Sequence, residues 1–198
     1  TTIAPEPTKL ATPSATGSVI NYKSVNLSWE AVENAEYYTV SYDDKVETVK
    51  DIQYTATLDN YDTTYTFSVT AHPADGSKLY LASDADVVEL TTKADPYIYL
   101  KPNGNWKIDN ARFAVYTWDS ENVWYDMKDS DGDGIYEVLK TNLKSNIIFC
   151  RMNPGSTAND WGNKWNQTSD LTLPTDGNNL YTVKDGTWDK GGGTWSKK

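Results

Sequence analysis

Residues 110–137 read NARFAVYTWDSENVWYDMKDSDGDGIYE, and the period of their apolar residues decides the fold. Phe113, Val115 and Thr117 alternate with Arg112, Ala114, Tyr116 and Trp118, the period of two that sends successive side chains to opposite faces of a strand. Polar turns at 119–122 and 129–134 separate this run from two more short strands. The Phe113/Val115 face is the natural core. Tyr116 and Trp118 therefore belong to the outer face, with Trp124 returned beside them across the first turn. Aromatics at this density exceed the needs of a small β core, and Trp and Tyr join a flat apolar face to a polar edge.

The same period extends in both directions. Val25, Leu27 and Trp29 alternate with polar residues, as do Tyr38, Val40 and Tyr42, and Tyr65, Phe67 and Val69. Turn clusters break the chain about every 8–12 residues, and no long segment has a period of 3.6, so the chain is all-β. In the second half strands are expected at 97–100, 111–118, 123–128, 135–140, 146–152, 171–173 and 179–184, with a turn at 102–105. Residues 153–170, NPGSTANDWGNKWNQTSD, form a long polar loop carrying Trp161 and Trp165; loops of this length are commonly functional. Residues 1–10 are rich in Pro and Thr and read as an extended linker. The opening TTIAPEPTKLATPS reads as a cut from a longer protein. Lys93-Ala94-Asp95-Pro96 marks a domain joint, since Pro96 favours an extended Asp95. The expected organisation is a linker at 1–10 and two tandem β-sandwich domains, at 11–93 and 94–198.

The charge of −10 over 198 residues argues against nucleic acid and anionic membrane surfaces as partners. No stretch approaches the roughly 18 apolar residues of a membrane span. Eight Trp and fourteen Tyr stand against three Phe, a bias towards the chemistry of a wet binding surface, and seven of the Trp lie beyond residue 100. One Cys permits no internal disulfide.

Two resemblances follow from these runs. NLSWEAV with Trp29, then YYTVSY, then LDNYDTTYTFSVTA with Leu58 ahead of Tyr65, together resemble a fibronectin type III domain over about residues 9–93. The resemblance implies a seven-stranded sandwich with Trp29 in its core and a corner tyrosine, Tyr65, bonded back near Asn60. YIYLKPNGNW, ARFAVYTW…VWYDMKDSDGDGIYEV, NIIFCRMNP, KWNQTSDLTL and NLYTVKDGTWD resemble, in order, the starch-binding carbohydrate-binding modules of families 25 and 26, over nearly all of 97–195. That resemblance implies a sandwich that binds α-1,4-glucan on aromatic side chains. By position it puts the sugar platform on Tyr116, with Trp118 its neighbour on the same face, and on Trp124, with Trp161, Lys164 and Gln167 contributed by the loop. Tyr125-Asp126 stands where those modules commonly have Pro-Gly.

The remaining chemistry-bearing residues point less far. Asp129, Asp131 and Asp133 with Gly134 have the spacing of the front of an EF-hand loop. The twelfth position is Lys140, where a bidentate Glu is needed, so a polar turn between strands is the favoured reading and a weak Ca²⁺ site the alternative. His72 reads as a loop residue beside Pro73, and Cys150 as a buried thiol. No nucleophile-elbow, phosphate-loop or zinc-protease motif occurs. The expectation is a non-catalytic starch-binding segment that requires no cofactor, monomeric within a larger secreted bacterial protein. The alternative is a cell-surface protein-interaction or adhesion segment.

Overall fold

The computed structural model describes residues 5–198. Nearly all the regular structure of the chain is β-strand, and it divides into two compact units, the first ending at Asp95 and the second running from Pro96 to Lys198.

In the first unit, β1 is Thr8–Lys9, β2 Thr16–Val19, β3 Ser24–Ser28, β4 Tyr37–Tyr42, β5 Lys45–Val49, β6 Gln53–Thr57, β7 Thr64–His72, β8 Tyr80–Leu81 and β9 Asp86–Thr91. One sheet has the order β2-β3-β6 and the other β5-β4-β7-β9. The alternation in each strand turns Val25 and Leu27, Tyr38, Val40 and Tyr42, and Tyr65, Phe67 and Val69 into one shared core. Trp29 lies within it, edge-on to Tyr38 at 5.3 Å. The Tyr65 hydroxyl accepts the Asn60 N–H at 3.1 Å, the corner bond that the resemblance implies. This unit is a β-sandwich of one three-stranded and one four-stranded sheet.

Of the stretch read as a linker, residues 1–4 lie outside the described residues. Thr8 and Lys9 pair in parallel with Tyr80 and Leu81, and Leu10 enters the core. Two backbone rungs and one buried Leu thus tie down a segment whose Pro and Thr content suggested an extended tether.

His72 ends β7 instead of standing in a loop. It stacks on Tyr37, with ring centroids 4.8 Å apart and planes within 2°, and its Nε2 lies 2.9 Å from Thr39 Oγ1. Burial holds its pKa below the usual 6.5, with Asp75 acting in the opposite sense. In acid the unfolded chain therefore takes up a proton before the folded chain does. This group's contribution to stability is complete above about pH 6.5 and declines as pH falls towards the lowered folded-state value. Thermal unfolding measured between about pH 7.5 and about pH 5 should show the first unit losing stability on acidification, with a shallower loss in a His72→Gln variant.

In the second unit, β10 is Tyr97–Lys101, α1 Gly104–Lys107, β11 Arg112–Trp118, β12 Asn122–Met127, β13 Tyr136–Leu139, β14 Asn146–Met152, β15 Lys164–Gln167, β16 Leu171–Thr172, β17 Leu180–Val183 and β18 Gly193–Ser196. The sheet β13-β10-β17-β18 faces the sheet β12-β11-β14-β15, with β16 pairing to β14. Between them lie Ile98, Leu100, Trp106, Phe113, Val115, Ile147, Phe149 and Tyr181. The turn expected at 102–105 is instead the start of a helical turn. Asn103 caps it, its Oδ1 accepting the Trp106 N–H at 3.0 Å, as Asn does at helix starts.

Strand β14 reads NIIFCRM and is buried on both faces. Ile147 and Phe149 enter the inter-sheet core, whereas Ile148, Cys150 and Met152 join Ala114 in a second cluster on the outer face. A continuous apolar run is what a strand covered on both sides requires. What covers the outer face is the aromatic set of the candidate site.

Candidate functional site

Antiparallel pairing of β11 with β12 sets Tyr116 directly opposite Trp124, and their ring centroids lie 5.0 Å apart. Trp118 follows two residues along the same strand, stacked on Tyr116 at 5.5 Å and 27°. Trp161 arrives from the loop after β14. It stands 4.8 Å from both Tyr116 and Trp124, at 63° and 68° to their rings. Trp118 and Trp124 pack on Ala114, Ile148, Cys150 and Met152 and are half-buried, as is Tyr116, while Trp161 is 47% exposed. The outer face is therefore not a bare platform: its inner side completes a small core and its outer side is open.

Lys164 and Gln167 sit at the two ends of β15. Gln167 pairs with Cys150 and Lys164 with Met152, which places both beside the outer cluster. Lys164 Nζ lies 5.7 Å from the centre of the Trp161 ring and donates to Gln167 Oε1 at 2.6 Å. One ammonium hydrogen is thereby committed within the pair. Lys has three such hydrogens and the Gln amide two more, so the pair retains donors to offer. All six residues singled out in the sequence thus meet on one face.

The residues that hold this loop in place are ones the sequence did not single out. Arg112, on the same face as Tyr116, donates from Nε to the Ser156 and Asn153 carbonyls at 2.6 and 3.3 Å. It also bonds Asn159 and the Ala158 carbonyl and pairs with Asp126 at 3.2 Å. Asn159 in turn donates to Asp126 at 3.0 Å. Asp160 accepts from both the backbone and the side chain of Asn163 at 2.9 Å, a turn that presents Trp161 between them and holds the Asp160 carboxyl below the usual range. Arg112→Ala removes the guanidinium from its backbone acceptors, a loss of about 2 kcal/mol. Limited proteolysis should then cut within 153–160, with Arg112→Lys only partly protecting because one ammonium cannot span the same acceptors.

Cys150 is fully buried, and burial pushes its thiol up to about 12. A thiolate nucleophile is therefore not on offer.

The 129–134 turn carries the chain from β12 in one sheet to β13 in the other. Gly132 and Gly134 both adopt φ of 78°, a conformation natural to Gly. Asp129 Oδ2 accepts the Gly134 N–H at 3.0 Å, and Asp133 Oδ1 the Ile135 N–H at 2.7 Å. Asp129, Asp131 and Asp133 bring carboxylate oxygens within 4.8 Å of one another. Lys198 Nζ stands 3.3 Å from Asp133 and 3.9 Å from Asp131, a fixed positive charge against the two exposed carboxylates. The oxygen ligands suit a hard divalent cation in type, while the hydrogen bonds within the turn account for its shape.

Comparison with protein-family models finds no match, and none is found among curated proteins. Among solved structures, the chain is similar to the FN1–FN3 domains of chicken CNTN1, at 11% identity over 89% of this chain and 67% of that one, with a TM-score of 0.32. At that score the likeness carries no argument, and the sandwiches are established by the pairing of their own strands.

Proposed function

We propose that the second unit is a non-catalytic carbohydrate-binding module that takes α-1,4-glucan on Tyr116, Trp118, Trp124 and Trp161. The observation that carries this reading is the convergence of four aromatic rings from three chain segments on one face, with centroids 4.8 to 5.5 Å apart. A pyranose offers a face of C–H groups to such rings and a rim of hydroxyls to amides and ammonium groups, which Lys164 and Gln167 supply. The rings are inclined to one another by 53° to 68° across the Trp124 and Trp161 contacts. A curved glucan chain follows such a surface better than a flat cellulose sheet does.

The first unit is then a spacer, and the whole a monomeric segment of a larger secreted protein that it keeps on starch. The site binds modestly, because well-hydrated hydroxyls are exchanged for protein hydrogen bonds at little net gain. Affinity electrophoresis of the full chain in gels containing amylopectin tests the proposal. Retarded migration relative to a polymer-free gel supports it; unaltered mobility overturns it and leaves docking of a protein partner as the use of the aromatic face.

A further inference from the structure

Two exposed tryptophans take no part in this cluster. Trp165 and Trp188 are 39% and 45% exposed, and both lie over the same guanidinium: Arg151 Cζ is 4.6 Å from the Trp165 ring centre and 5.7 Å from that of Trp188. Arg151 alternates with Cys150 and Met152 on β14, so it points away from the Tyr116 face. Trp165 reaches it through a defect in the ladder. Arg151 pairs with Asn166 and Met152 with Lys164, which leaves Trp165 as the extra residue of a β-bulge. A bulge re-aims one side chain at the expense of a ladder rung.

The other ring is held as firmly. The buried Asn103 side chain donates to the Lys184 and Thr187 carbonyls at 2.7 and 2.9 Å, and the buried Trp106 indole donates to the Trp188 carbonyl at 2.8 Å. Three hydrogen bonds from buried donors thus fix the backbone that presents Trp188. Arg151 is itself 4% exposed and donates to the Trp106 and Ile108 carbonyls at 3.0 and 2.8 Å, to Asp109 at 2.8 Å and to Asn166 at 3.4 Å. Asp109 and Asn110 nearby and Lys190 just past Trp188 all have positive φ, the conformation of tight turns.

We propose that Trp165 and Trp188 form a second glucan-binding surface of the same unit, around Arg151 and separate from the Tyr116 face. Each ring turns one face to the guanidinium and leaves the other for the C–H face of a pyranose. Asn166 and the exposed carboxylate of Asp109 lie at the rim, where sugar hydroxyls need an amide and an anionic acceptor. Because the ligand is the same glucan, this inference rests on the function proposed above. It makes the module bivalent, so one module can hold two chains of a starch granule and gain from their effective concentration.

The test follows tryptophan indole N–H resonances of the full chain as maltoheptaose is added, with Trp165→Phe and Trp188→Phe variants identifying the two signals. Shifts at Trp165 and Trp188 in the native chain that persist in a Trp124→Ala variant, while those at Trp161 are lost, are the expected result. Shifts at Trp165 and Trp188 that vanish with Trp124→Ala overturn the second site, because they then only report the first. Movement of Trp161 alone overturns the second site and leaves the first standing. Stillness of every indole in the native chain overturns both.

Discussion

Replacing Trp124 by Ala removes most of the retardation of the chain in amylopectin gels and leaves the part that the Trp165–Trp188 surface supplies. Trp124 contributes twice, once as a stacking face and once as a wall against which Trp161 stands at 4.8 Å. Its removal therefore takes one sugar contact and loosens another. A single lost ring contact of about 2 kcal/mol weakens Kd roughly 30-fold, enough to erase the modest affinity of the Tyr116 face. Trp161→Ala removes only the more exposed ring and leaves the Tyr116–Trp124 pair intact, so it weakens binding by a smaller factor, about 10-fold. Trp124→Phe retains a flat ring on the Ile148–Cys150–Met152 cluster and keeps most of the retardation. If Trp124→Ala migrates like the native chain, the Tyr116 face is not where glucan sits.

The largest effect on stability falls on Arg151. Its guanidinium is buried among acceptors from α1 and the segment after it, joining β14 to the Trp106 and Ile108 carbonyls and to Asp109. Arg151→Ala strips partners from those carbonyls and uncovers the inner faces of Trp165 and Trp188. Losing these charge-assisted hydrogen bonds and leaving the carbonyls unpaired costs about 3 kcal/mol, which for a unit of this size lowers the unfolding temperature by more than about 10 °C. Arg151→Lys recovers little of it, because a point charge on a flexible stem cannot satisfy a fork of fixed acceptors. Differential scanning calorimetry of the two variants checks both statements.

These two residues mark where sequence reading succeeds and where it stops. Trp124 is legible because strand alternation and one short turn are enough to set it across from Tyr116. The pairing of Lys164 and Gln167 with the same face depends on β15, a strand hidden inside a loop whose Asn, Gly and Asp content masks it. Arg112 and Arg151 are not legible at all. Their partners are mostly backbone carbonyls far along the chain, and no residue pattern encodes a carbonyl that happens to point inward. The closing strand β18 was obscured for a related reason: GGGTWS looks like a flexible tail, yet its backbone pairs with β17 from Gly193 to Ser196. In the first unit Tyr65 is legible because its donor, the Asn60 N–H, lies five residues upstream, within reach of a local motif.

The half-burial of Tyr116, Trp118 and Trp124 has the same origin. Alternation places them outside the inter-sheet core, but it does not reveal that β14 carries Ile148, Cys150 and Met152 to the same side. The aromatics therefore serve packing and recognition together. This preorganises them, since rings locked against a dry cluster lose little conformational freedom when a ligand arrives.

The central claim is tested most directly by a crystal structure of the chain with maltoheptaose. A glucose ring stacked on Trp124 or Trp161, with a hydroxyl bonded to Lys164 or Gln167, is the predicted result. Maltoheptaose at saturating concentration with no sugar against Tyr116, Trp118, Trp124 or Trp161 would contradict it.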